Sequence, residues 1–160
     1  MKCNLIAAIF IIFGTFVHAQ TNISLGGFQP DTQAPVEITS NSLTLDQDTE
    51  QAQFSGSVEV RQGSNVIATE LMTVTYDEAT GNIILLEATG GVTFVTKTDA
   101  AEALSATYDL KNNTLRMTGN VLLTQGISAI GAESMFVDLA TGKAQLEGRV
   151  RTTLVQQDDQ

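Results

Sequence analysis

The 160-residue chain is 42% hydrophobic and 16% charged and carries a net charge of −10, a length and balance that fit about one folded domain. Eight Lys and Arg face eighteen Asp and Glu, so a polyanion is repelled and nucleic-acid binding is excluded. The lone cysteine, Cys3, and the lone histidine, His18, both sit near the N-terminus, which leaves nothing downstream for disulfides, thiol or Ser-His-Asp catalysis, or zinc held by Cys and His.

Lys2 precedes an apolar run from Leu5 to Val17, which closes with Val17-His18-Ala19 before the polar Gln20-Thr21-Asn22. This is the layout of a secretory signal peptide, expected over residues 1–19 with the cut after Ala19. The run is thirteen residues long, against the roughly 20 that cross a bilayer as a helix, which favours cleavage over an uncleaved anchor. Loss of the signal takes Lys2, Cys3 and His18 with it and leaves a net charge of −11. An anionic membrane surface does not attract such a chain, so any lipid must be held by its tails. Residues 20–34, with Gly26-Gly27 and Pro30, are expected to be disordered, as is the tail 156–160.

Between those ends, over residues 35–155, the chain repeats. A Gly-x-Val step occurs at Gly56-Val58, Gly90-Val92, Gly119-Val121 and Gly148-Val150, at intervals of 34, 29 and 29 residues. An aspartate stands ten residues before the glycine in three copies (Asp46, Asp109, Asp138) and thirteen before it in one (Asp77), so the second copy carries an insertion near Asn82–Leu85. Every second residue through each glycine forms a similar apolar row: Ala52, Phe54, Val58 and Val60; Leu86, Ala88, Val92 and Phe94; Leu115, Met117, Val121 and Leu123; Ala144, Leu146 and Val150. A period of two with polar residues between specifies half-buried strands. The glycine interrupts the inward row at the same step each time and is expected to be the corner where a long strand folds over.

A second strand enters each repeat through Leu43 and Leu45; Met72, Val74 and Tyr76; Leu104, Ala106 and Tyr108; Met135 and Val137. Turns follow at Asp77 to Gly81, Asp109 to Asn113 and Asp138 to Gly142, where Asp caps the turn and Gly or Asn tolerates positive φ four residues on. The expected fold is all-β, a sheet of paired antiparallel strands bent into a trough lined by the residues of these rows. Two alternatives stay open. The rows can fill one another's gaps as a closed sandwich, or the chain can be a structural β-repeat protein of the envelope that self-associates through its edges without lipid cargo.

Reactive constellations are few. Asp77-Glu78 could be a carboxylate pair but suits a turn cap better, and Asp46-x-Asp48-x-Glu50 lacks the sixth-place glycine and twelfth-place glutamate of a calcium loop. No catalytic residue, metal or cofactor is expected.

The turns Tyr76 to Gly81 and Tyr108 to Asn113, each followed by a step like Ala88 to Val92, together with the opening Pro35-Val-Glu-Ile-Thr-Ser-Asn-Ser-Leu43, resemble the OstA-like family over about residues 35–154. That resemblance implies a bent β-jelly-roll with a V-shaped apolar groove and open edge strands. It implies lipopolysaccharide as ligand, with its acyl chains in the groove and Arg149 and Arg151 as candidate headgroup contacts. It further implies a periplasmic bridge between an inner-membrane anchored transport component and an outer-membrane translocon, joined by edge-strand pairing and by head-to-tail self-association.

Overall fold

The computed structural model describes the backbone of residues 22–24 and 34–153 and the side chains of 34–153. The expected signal peptide, the tail 156–160 and most of 20–34 lie outside the described residues. The elements are β1 (Asn22–Ser24), β2 (Val36–Thr39), β3 (Ser42–Asp46), β4 (Gln51–Gln62), β5 (Asn65–Tyr76), β6 (Ile83–Val95), β7 (Asp99–Asp109), β8 (Thr114–Gln125), β9 (Ser128–Asp138), β10 (Lys143–Glu147) and β11 (Arg151–Thr153). They form one antiparallel sheet in the order β1-β10-β9-β8-β7-β6-β5-β4-β2, with β3 also on β4 and β11 also on β9. The all-β class and the jelly-roll plan agree with the expectation from the strand period.

One expectation is corrected at the N-terminus. Asn22–Ser24, placed in a disordered segment by its composition, pairs with Lys143–Gln145 of β10, because the edge of β10 offers unpaired backbone groups there.

The turns form as the Asp positions dictate. Asp46, Asp77, Asp109 and Asp138 each accept a backbone N–H two or three residues on, from Asp48 at 2.9 Å, Thr80 at 2.9 Å, Asn112 at 2.9 Å and Thr141 at 3.1 Å. The residue four places after each aspartate, Glu50, Gly81, Asn113 or Gly142, has positive φ. One of the three residues inserted in the second repeat is absorbed as a bulge, since Tyr76 pairs with Ile83 and Thr75 with Leu85 so that Ile84 is skipped, and the other two lengthen β6 before its Gly90-Gly91 step.

A single crease crosses the sheet. Gly56-Ser57 of β4 and Gly90-Gly91 of β6 both face the one residue Glu70 of β5. Gly90-Gly91 also faces Leu104 of β7, and Gly119-Asn120 of β8 faces Glu133 of β9. Each of these two-residue steps, and Gly148-Arg149, has positive φ at both positions. Two residues against one is a β-bulge, which bends the strand that carries it. With the bulges aligned, the sheet folds into two wings: one holds the Asp turns and the other the tight links at Gly63 and Gly126.

Candidate functional site: the inner face

The apolar rows meet inside the fold. Val58, Val60, Met72, Val74, Leu86, Val92, Phe94, Ala106, Leu115, Met117, Val121, Leu123, Met135, Val137 and Leu146 are buried, and Phe54, Tyr76 and Tyr108 pack half-buried against them. Burial pushes the Tyr108 phenol above its ordinary value.

Four expected lining residues are not enclosed. Leu43 and Leu45 are 52% and 68% exposed; they share a face with Phe54 and Ala52, their partners on β4, but lie on an edge strand that nothing covers among the described residues. Val150 is 45% exposed, just past the Gly148-Arg149 step where β10 gives way to β11. Leu104 is 59% exposed because the inward parity of β7 changes at the crease. Across a bulge the strand with the extra residue keeps its alternation, whereas its partner, one residue shorter, must switch. In β5, β7 and β9 the inward set therefore passes from Met72 to Ile67, from Ala106 to Ala103 and Ala101, and from Met135 to Ile130, all buried. Those four residues were missed because a period of two counted along one strand carries no sign of a bulge in the next.

The interior is filled. Met72, Leu115, Met117, Leu123 and Met135 are among the largest fully enclosed side chains. An apolar cleft lined from both wings measures about 30 Å³, room for one or two waters and not for an acyl chain. Val36, Val60, Gln62, Asn65, Ile67 and Phe94 line it from the tip wing, and Leu86, Tyr108, Leu115 and Leu139 from the turn wing. The trough expected to stand partly open is thus shut by its own side chains.

Polar candidates take structural places. Asp77 accepts the Thr80 hydroxyl at 3.0 Å and the Ala79 amide at 3.1 Å, so it caps a turn. No group of three His, Cys, Asp or Glu among the described residues could hold a metal ion. Arg149 donates through Nε to the Glu133 carboxylate at 2.7 Å, with both side chains exposed, while Arg151 stands exposed on β11.

One antiparallel sheet creased along aligned bulges, with its apolar faces turned inward, defines a β-jelly-roll whose distinctive surface is its interior. The family model described as LptA/(LptD N-terminal domain) LPS transport protein matches residues 37–143, and the chain belongs to that family of lipopolysaccharide-transport proteins, which are not enzymes. The uncharacterized protein R00383 of Rhizobium meliloti (strain 1021) is 28% identical over 145 residues, covering 84% of this chain and 78% of the relative. Among solved structures, the crystal structure of LptH, the LptA-homologous periplasmic component of the lipopolysaccharide transport device of Pseudomonas aeruginosa, superposes with a TM-score of 0.71 at 17% identity. That match covers 79% of this chain and 99% of LptH.

Proposed function

We propose that this chain is a periplasmic bridge that carries lipopolysaccharide from an inner-membrane component to an outer-membrane translocon, with the acyl chains between its two wings. The observation that carries the proposal is the crease: it turns the apolar faces of one sheet toward each other, and side chains, not backbone ladders, hold them shut. An acyl segment of about ten methylenes gains on the order of 8 kcal/mol on burial before ordering costs. That gain offsets the packing energy given up as Ile67 and Phe94 move away from Leu86 and Tyr108. The buried methionines, Met72, Met117 and Met135, are unbranched and re-pack readily around a new neighbour. The phosphorylated headgroup stays outside the acidic chain. Transfer between copies or to partners uses sheet edges, for which β2, β3 and β11 offer strands with one unpaired side among the described residues.

Photo-crosslinkers test this in delipidated protein given labelled lipopolysaccharide. Probes at Phe54, Phe94 or Leu123 are expected to capture it, while probes at the outward Glu59 or Thr93 are not. Equal capture from both faces would end the proposal. The filled interior favours a second reading, a self-associating envelope scaffold without cargo, for which none of the five positions would capture lipid.

A further inference from the structure

Apart from Thr69 beside the crease, the buried polar side chains among the described residues gather in one rung of the inner face. At the tip of the second wing, Gln62 pairs with Asn65, Asp99 with Gln125, and Gln125 with Ser128. Thr96 closes the row between Asn65 and Asp99: Val66 pairs with Val95 one place earlier, and the Thr96 amide donates to the Asp99 carbonyl at 2.9 Å. All six residues continue inward alternations, Gln62 after Val60, Asn65 before Ile67, Thr96 after Phe94, Asp99 before Ala101, Gln125 after Leu123 and Ser128 before Ile130. Asn65, Thr96 and Asp99 are buried. Gln62 and Asn65 also form the polar end of the cleft between the wings.

Asp99 is the exceptional member. It is only 3% exposed, and its Oδ2 accepts the Thr98 hydroxyl at 2.8 Å. Its Oδ1 is buried with no hydrogen-bond partner. A buried carboxylate oxygen without a donor is costly, and native structures keep such atoms mainly where something else supplies the donor. The complement is a ligand group that brings an O–H or N–H into an apolar setting. Phosphate brings no such donor beside a carboxylate and is repelled by it.

Resting on the lipid-carrying proposal, we infer that the Asn65–Thr96–Asp99 rung is a subsite for the hydroxyl and amide donors at the base of a hydroxylated, amide-linked acyl chain. The chain itself runs on past Ile67 and Phe94. The rung orients the amphiphile, with its polar linkage at the tip and its tail between the wings, so that successive lipids enter in the same sense.

The test is displacement of an apolar fluorophore from the delipidated full chain by N-(3-hydroxymyristoyl)glucosamine and by N-myristoylglucosamine. The hydroxylated amphiphile is expected to bind about tenfold more tightly, the scale of one hydrogen bond to a charged acceptor. Asp99→Leu is expected to abolish that preference while retaining the unhydroxylated ligand. Asn65→Leu, expected to reduce the preference, serves if Asp99→Leu loses its circular-dichroism β signature. Equal affinity of the native chain for both amphiphiles overturns the subsite and leaves the lipid-carrying proposal standing. A preference that survives both substitutions overturns the assignment to this rung, and binding of neither amphiphile overturns both proposals.

Discussion

Leu104 lies over Gly119 so closely that a Cβ on the glycine would come within 2.8 Å of the leucine Cβ. The contact sits on the crease, where β7 crosses the two-residue step of β8, on the outer face to which the change of parity turns Leu104 while its neighbour Ala103 is buried. Asn41, Glu70 and Glu133 stand over Gly56, Gly90 and Gly148 in the same way. The crease is therefore a line of close approaches, with a side chain above and a bare backbone below.

Substitution at the crease should cost more than at a turn. Gly119 and Gly81 both have positive φ, but a Cβ at Gly81 meets nothing within 4 Å. Gly81→Ala is expected to lose about 1 kcal/mol from backbone strain, and Gly119→Ala about 2–4 kcal/mol once crowding against Leu104 is added. Urea unfolding of the two variants measures the difference, and equal losses would remove the close approach from the account of the bend.

The first turn offers the opposite effect. Glu50 holds φ of 51° where Gly81 and Gly142 occupy the matching place in their turns. Glu50→Gly is expected to stabilise by up to about 1 kcal/mol, since glycine takes that conformation without a Cβ penalty. A lower urea midpoint in the variant would contradict this.

Acid should loosen the turn wing first. The Thr80 hydroxyl holds the Asp77 carboxyl below the usual range, the Thr49 hydroxyl does so for Asp46, and the backbone amides of Asn112 and Thr141 do so for Asp109 and Asp138. Each folded value lies under the free one, so the stabilisation is complete above the ordinary aspartate range and is lost as pH falls through the lowered values. Asp→Asn at positions 77, 109 and 138 together is expected to flatten the acid limb of a stability-against-pH curve and leave neutral pH little changed. An unaltered acid limb would refute it.

Emptying the interior should trade stability for binding. Met117 is fully buried between the wings, and Met117→Ala is expected to cost about 2–5 kcal/mol. The void adjoins the surface proposed for acyl chains, so an apolar fluorophore should bind the variant more tightly than the native chain. Thermal melts and fluorescence titration, run on the same samples, check both halves.

The pairing of β1 with β10 shields part of an edge that a second copy could use. Removing Asn22–Ser24 is expected to raise the fraction of oligomer at fixed concentration in analytical ultracentrifugation. An unchanged distribution would mean that β10 is not a docking edge.

Much of this molecule was written along the chain. The period of two at Phe54–Val60 or Leu115–Leu123 specified strands with one apolar face, and Asp77 with Gly81, or Asp138 with Gly142, specified the turns. The glycines at positions 56, 90, 119 and 148 marked the corners. These are local properties, settled by backbone sterics and by side chains within a few residues. The partnership of Asn22–Ser24 with β10, the outward turn of Leu104, the inward turn of Ile67, Ala101, Ala103 and Ile130, and the exposure of Leu43 and Leu45 were decided only by the fold. An edge exists only once the sheet has an order, and a bulge is a relation between two strands, one of which must change parity when the other keeps it. The closing of the interior was likewise a tertiary outcome, because whether Phe94 and Leu115 leave a gap depends on how near the crease brings the wings.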